Sequence, residues 1–169
     1  MYLFHNVFLV IKDDTDPLLY AVVRENNTVY LPHSTFVAVS ENSHHWRRIA
    51  ESLGNNLECY GEMKLRAVIY DNLSCSRNLV YNMLHTDIIC SDHFQCMVHP
   101  DLDTNKRKHA QWSLEWIRAD IPFASAYSGR HISYIQRRIL KELHDHLYHL
   151  PTINQVCRYH YPGHRQYMY

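Results

Sequence analysis

The chain has 169 residues, and its 17 lysines and arginines equal its 17 aspartates and glutamates in number. This length fits one globular domain with a sizeable core, and 46% hydrophobic content with only 4 glycines and 6 prolines excludes the disordered and collagen-like classes. A formal net charge of zero gives no support to a uniformly basic nucleic-acid coat.

The charges are distributed unevenly along the chain. Residues 1–62 hold four bases against eight acids, and residues 63–169 hold thirteen bases against nine. The sequence therefore predicts one domain with an acidic and a basic region. Because the 14 histidines titrate near neutrality, mild acid should make this neutral chain strongly cationic.

No targeting or membrane segment is expected. Lys12 ends the apolar run near the N-terminus before a signal sequence could form, and nothing approaches the ~20 apolar residues of a spanning helix. The five cysteines are an odd number, so reduced thiols are expected.

Strands are predicted in the first half of the chain. Residues 5–12, 18–23 and 28–31 are rich in aliphatic and aromatic side chains, and Asn26-Asn27 can supply the positive φ of a tight hairpin turn. Residues 64–70 alternate as a strand does, and residues 79–84 fit either a strand or a short helix. Ser43 can cap a short helix that ends before Gly54.

Two longer helices are predicted in the second half. Apolar residues recur at helical spacing from about residue 106 until Pro122 ends the run, with Trp112 and Trp116 expected in the core. A second apolar stripe runs from Ile132 to Leu150. The predicted fold class is α+β: an N-terminal antiparallel β-sheet or hairpins with short helices, followed by two longer α-helices.

An ordered set of features lies between residues 85 and 129. The order is His85-Thr86-Asp87, Phe94-Gln95-Cys96, Ala110, Glu115-Trp116, Ile121-Pro122 and Gly129. In these features the chain resembles the N-terminal domain of the baculovirus repeated open reading frame proteins, the Bro-N family. Residues 19–23, residues 29–31 and Leu53-Gly54 are similar to the opening strands and the first helix of that family.

The resemblance implies a Bro-N-like α+β domain over residues 1–129, followed by an amphipathic helix over 130–151 and a His-, Tyr- and Arg-rich tail over 152–169. It implies a viral, non-enzymatic DNA-binding protein that acts as a regulatory or chromatin-associated factor in the host nucleus or cytoplasm. No cofactor and no membrane are expected. The expected partners are DNA, either single-stranded or bound without sequence preference, a second copy of the chain and a host protein.

Basic clusters supply the candidate DNA contacts. They lie before a short helix, before the predicted tryptophan helix and on the open face of the last helix, where they could neutralise phosphates while nearby rings stack on bases. The alternative is a solvated helix face. The predicted nucleic-acid-binding residues are Arg47, Arg48, Lys106, Arg107, Lys108, Arg130, Arg137, Arg138 and Lys141.

Three other functions stay open. One is a protein-interaction module in which the helix of residues 132–150 and the aromatic tail dock a partner. Another is zinc binding, because the chain contains C-x2-H-x2-C-x2-H and C-x2-H-x3-H patterns. The third is an enzyme built on histidines, although no G-x-S-x-G, HExxH or phosphate-loop motif occurs, so no catalytic residue is predicted. The two zinc candidates are Cys90, His93, Cys96, His99 and Cys157, His160, His164.

Overall fold

The computed structural model describes residues 2–13, 15–37, 47–51, 63–85, 112–148 and 155–162. Within these ranges eight strands form one mixed sheet, and residues 47–51 are helical. The elements are β1 (Phe4–Asp13), β2 (Leu19–Glu25), β3 (Thr28–Tyr30), β4 (His33–Val37), β5 (Lys64–Asp71), β6 (Ser76–His85), β7 (Trp112–Arg118), α1 (Phe123–Ala126), α2 (Tyr134–His146) and β8 (Cys157–Tyr161).

Strand β1 lies inside the sheet, whose main order is β3-β2-β1-β6-β5-β8. It runs parallel to β6 along its whole length, and β5 runs parallel to β8, whereas the other neighbouring pairs are antiparallel. The first residues of β1 also pair with β4, and β7 pairs with β2. Strand β8 therefore ends the order on one side.

Side chains of β1 are buried on both faces of the sheet. Phe8 and Val10 belong to a core that includes Ile139 and Leu140 of α2, so this side is called the helix face. Val7 and Leu9 lie in a second core on the opposite face. Ala50 belongs to this core, and Ile49 packs against it. Because successive residues of a strand point to opposite faces, β1 is apolar almost throughout.

The predicted strands of the first half agree with the structure. The first three predicted runs correspond to β1, β2 and β3, and the run at residues 64–70 corresponds to β5. Asn26 has a φ of 55° in the turn between β2 and β3, as a tight hairpin requires. The ambiguous run at residues 79–84 is part of β6.

The prediction of two longer C-terminal helices is wrong. Residues expected to form the first helix make β7, in which Ile117 is buried while Trp116, expected in the core, is 38% exposed. The second prediction corresponds to α2, which ends at His146, before the expected Leu150; Leu147, which follows it, is left-handed (φ 52°). The mixture of helix and sheet agrees with the α+β class only broadly.

Candidate nucleic-acid interface

Four side chains line up across four adjacent strands. The backbone register pairs His5 of β1 with Arg77 of β6, Arg77 with Tyr70 of β5, and Tyr70 with His160 of β8. Cross-strand partners share a face, and His5 lies two residues before Val7, so the row is on the opposite face. His5 is buried, Arg77 and Tyr70 are half-buried, and His160 is exposed. The row therefore becomes more accessible toward β8.

Ring stacking and guanidinium contacts join these side chains. The rings of Tyr70 and His160 are stacked, with centroids 4.6 Å apart and an interplanar angle of 7°. The guanidinium of Arg77 lies 5.4 Å from the Tyr70 centroid and 5.8 Å from that of Tyr2. Arg158 donates from Nη1 to the Tyr70 hydroxyl at 3.1 Å. We call Tyr2, Tyr70, Arg77, Arg158 and His160 the sheet platform.

The alternation of β8 positions two of these residues. Arg158 and His160 are exposed, whereas Tyr159 and Tyr161 pack against the core of the helix face. The sequence Arg-Tyr-His-Tyr has this period of two, but it lies in the segment that was predicted to be a tail. Sequence reasoning therefore missed the whole sheet platform, for which this alternation was the available signal.

The predicted basic residues of α2 lie close to the same end of β8, on the helix face. The Arg138 guanidinium lies 4.1 Å from the Tyr161 ring centroid, and its Nε donates to the Tyr134 hydroxyl at 2.7 Å. Arg137 and Lys141 are exposed on the same helix. The edge at β8 thus has arginine–tyrosine contacts on both faces.

The other predicted nucleic-acid-binding residues pair with acidic side chains, are exposed, or fall outside the described residues. Both terminal nitrogens of Arg130 donate to the carboxylate of Glu115, with Nη2 2.6 Å from Oε1, and this contact holds the pKa of Glu115 below its usual range. Arg47 pairs with Glu51 at 3.0 Å, and Arg48 is exposed. The predictions at residues 106–108 fall outside the described residues.

A buried hydrogen-bond network links α2 to β2 and to the chain near α1. His144 Nδ1 donates to the carbonyl of Ile121 at 2.6 Å, because a carbonyl can only accept, and Nε2 then accepts from the Tyr20 hydroxyl at 2.7 Å. The Tyr20 oxygen accepts in turn from Tyr127. Burial lowers the pKa of His144 and raises the pKa of both tyrosines. The network keeps the imidazole neutral and ties three segments together.

A cavity of about 220 Å³ opens beside the first turn of α2. One wall contains the stacked rings of Phe8 and His33, whose centroids are 5.5 Å apart. Its polar side chains are largely hydrogen-bonded within the protein: Thr35 donates to Asn6 at 2.6 Å, and Gln136 accepts from the Leu31 backbone at 3.0 Å. These bonds indicate that the cavity is a packing gap between α2 and the sheet.

The described residues contain neither a metal site nor a membrane-spanning helix. Over the described ranges, no group of three or more His, Cys, Asp and Glu side chains could hold a metal ion. The first zinc candidate and His164 fall outside those ranges, whereas Cys157 and His160 lie on β8. No helix in the described part of the chain has the length and apolar character needed to span a bilayer.

Comparison with known proteins gives no family. No family model and no curated protein matches the chain. A protein described as an oxidoreductase from Sinorhizobium meliloti 1021 is 13% identical with a TM-score of 0.49; the alignment covers 90% of this chain and 42% of that protein. Tm1382, described as a Nudix hydrolase, is 11% identical with a TM-score of 0.44, with coverage of 82% and 70%. Similarity at this level assigns neither family nor function.

Proposed function

We propose that the chain binds single-stranded nucleic acid on the sheet platform. The observation that carries the proposal is the stacked Tyr70–His160 ring pair, in which Tyr70 also contacts the guanidiniums of Arg77 and Arg158. Aromatic rings on an accessible sheet face can stack on bases, and arginines beside them can pair with the phosphates of the same strand.

The exposed ring of His160 favours a single strand over a duplex. An unstacked base can stack on this ring, whereas the bases of a duplex are already stacked on each other. A strand that crosses the β8 edge next meets Arg138 beside Tyr161, which adds a further phosphate contact. The predicted basic helix α2 thus becomes a secondary part of the interface.

The proposal is one of binding without catalysis, with DNA or RNA as the ligand. It keeps the nucleic-acid class that was expected from the Bro-N resemblance together with the basic clusters. The viral regulatory or chromatin-associated role implied by the Bro-N resemblance stays a prediction, as does self-association.

Affinity measurements on single-residue variants test the interface. Fluorescence anisotropy with labelled single strands of about 10 nucleotides, in DNA and RNA versions, should show tighter binding than to a duplex of the same sequence. His160→Ala should weaken binding about 5- to 150-fold, since stacking on one ring contributes about 1–3 kcal/mol. Trp116→Ala, at an exposed ring on β7, is the matched control and should bind as the parent does.

These measurements distinguish binding on the sheet platform from binding elsewhere on the protein. Equal losses in His160→Ala and Trp116→Ala, or duplex binding as tight as single-strand binding, would contradict the sheet platform. Circular dichroism of each variant shows whether the fold is retained.

A further inference from the structure

A continuous series of side-chain hydrogen bonds crosses the helix face of the sheet. Thr35 of β4 donates to Asn6 of β1 at 2.6 Å, and Asn6 Nδ2 donates to Asn78 Oδ1 of β6 at 2.7 Å. Asn78 Nδ2 donates to the Ser76 hydroxyl at 3.1 Å, and the Ser76 and Ser74 oxygens are 2.6 Å apart. Because Asn6, Asn78 and Ser76 are buried, these side chains satisfy one another instead of water.

The series ends on the carboxylate of Asp71, which is fully buried at the end of β5. The Ser74 hydroxyl donates to Asp71 Oδ2 at 3.0 Å, and the Leu73 backbone N–H donates to Oδ1 at 3.1 Å. Since Ser74 donates its hydrogen to the carboxylate, its oxygen accepts from Ser76, and every donor in the series points toward Asp71. The carboxylate is therefore held in one position at this end of the sheet.

A further donor reaches Asp71 from α2. The Tyr134 hydroxyl donates to Asp71 Oδ1 at 3.3 Å, although Tyr134 is 39% exposed. The same hydroxyl oxygen accepts from Arg138 Nε at 2.7 Å. Tyr134 and Arg138 are four residues apart, so they lie on the same side of the helix. The hydroxyl thus connects the guanidinium to the buried carboxylate.

Two tyrosine rings flank the guanidinium of Arg138. Its central carbon lies 5.0 Å from the Tyr134 ring centroid and 4.1 Å from the Tyr161 centroid. Within the described ranges, Nε has the Tyr134 hydroxyl as its acceptor, and no protein oxygen accepts a hydrogen bond from Nη1 or Nη2. These two terminal nitrogens can donate together to the oxygens of one phosphate.

The backbone places this arginine beside the sheet platform. Tyr70 and His160 directly precede Asp71 and Tyr161, and the register pairs Asp71 with Tyr161. Because successive residues of a strand point to opposite faces, Tyr70 and His160 lie on one face while Asp71 and Tyr161 lie on the helix face. A single strand that crosses the β8 edge can therefore contact both His160 and Arg138.

We propose that Tyr134 is a positioning residue for the phosphate contact of Arg138. Its hydroxyl, bonded to Asp71, holds the guanidinium against Tyr161 before the nucleic acid binds. A flexible arginine loses rotamer freedom when it binds a phosphate, whereas one that is already ordered avoids that cost. The inference rests on the proposed binding of a single strand, to which it adds the means by which Arg138 is ordered.

NMR relaxation of the free protein tests the positioning without a ligand. The nitrogen-15 heteronuclear NOE of Arg138 Nε should match that of ordered backbone amides in the parent, and in Tyr134→Phe it should fall to the value of the exposed Arg137. Tyr30→Phe, which removes a hydroxyl bonded to Glu25, is the matched control and should leave Arg138 ordered. An Arg138 Nε as mobile as that of Arg137 in the parent, or equally ordered in Tyr134→Phe, would overturn the proposal.

Affinity for a labelled single strand, measured as a double-mutant cycle, tests whether the ordered arginine contacts nucleic acid. Tyr134→Phe should weaken binding about 2- to 10-fold, the cost of ordering one flexible side chain at an interface. In the Arg138→Ala background the same substitution should have no further effect. The salt slope should lose about 0.7 in magnitude in Arg138→Ala but not in Tyr134→Phe, which keeps the charge. An equal loss from Tyr134→Phe in both backgrounds would contradict the positioning role.

Failure of the positioning role is distinguishable from failure of the proposed function. If the parent binds no single strand at low salt, the proposed function and the phosphate contact of Arg138 are both contradicted. If the parent binds and His160→Ala weakens binding, but Tyr134→Phe binds as tightly as the parent, only the positioning role is contradicted.

Discussion

Several buried tyrosine and histidine side chains form hydrogen bonds with one another. Tyr20 is fully buried, yet its hydroxyl meets both Tyr127 and His144. The sequence shows that 13 tyrosines and 14 histidines are present, but it does not show which of them share a buried network. Such a network is formed by residues more than 100 positions apart, and periodicity within one segment carries no information about it.

Removing the central hydroxyl of this network should destabilise the protein. Tyr20→Phe leaves Tyr127 and His144 without their buried partner, which costs about 1–3 kcal/mol in the free energy of unfolding. Tyr134→Phe removes a hydroxyl from an exposed side chain and should cost clearly less. Urea denaturation measures both. A loss in Tyr20→Phe no larger than in Tyr134→Phe would show that the network contributes little.

Burial, followed by the charge of Arg66, lowers the pKa of Lys12 to about 8, and this shift predicts how stability depends on pH. Between about pH 8 and the ordinary value of 10.5 the unfolded chain binds more protons at this lysine than the folded one, so the free energy of unfolding rises with pH. The parent should gain about 2 kcal/mol relative to Lys12→Met between about pH 7.5 and about pH 9.5, because this comparison cancels the cysteines and tyrosines that also begin to titrate in the range. Urea denaturation of both proteins across this range measures the difference. The same pH dependence in the parent and in Lys12→Met would contradict the depressed pKa.

At the scale of whole elements, one contact connects β7 to the chain that follows α1. Arg130 and Glu115 form a two-point pair in which both side chains are largely shielded from water. Arg118 on the same strand also meets carboxylates, those of Asp16 and Asp120, but at a more exposed site.

Loss of the shielded pair should cost more than loss of the exposed one. Arg130→Ala leaves Glu115 without its partner and should destabilise the protein by about 1–3 kcal/mol. Arg118→Ala should have little effect, because exposed ion pairs are screened by water and salt. Thermal unfolding of the two variants distinguishes these cases. Equal melting temperatures would show that the Glu115–Arg130 pair does not stabilise the position of β7.

The helix prediction was wrong at β7 for a physical reason. Apolar residues at Leu114, Ile117 and Ile121 fit a helical period, but Ile117 and Ala119 also fit a strand whose alternate residues face solvent. Pairing with β2 along seven residues decides in favour of the strand. Pro122, which was expected to end a helix, instead precedes the first turn of α1, where a missing N–H costs nothing.

Long buried elements were easier to predict. β1 and β5 have strong β-forming composition over many residues, and α2 has a stripe that includes Ile139 and Leu143 in the core. β8 has five residues, and it was missed because its strand character depends on pairing with β5. The candidate interface was missed with it, since two of its five members lie on β8.

For the molecule as a whole, the charge asymmetry of the sequence has a structural counterpart. The arginines of the sheet platform, Arg77 and Arg158, both come from the basic residues 63–169. Lys12 belongs to the acidic first segment, but the charge of Arg66 from the second segment contributes to lowering its pKa. A net charge of zero therefore conceals arginines that the sheet brings together on one of its faces.

The central claim, that this sheet face holds a single strand of nucleic acid, is tested most directly by the salt dependence of binding. Each phosphate contact contributes about −0.7 to the slope of log affinity against log salt concentration, so the two arginines of the sheet platform together with Arg138 predict a slope of about −2.1. Arg158→Ala should reduce the magnitude of that slope by about 0.7, and Arg24→Ala, at an exposed arginine of β2, should leave it unchanged. No binding at low salt, or the same slope for Arg158→Ala and the parent, would contradict the account.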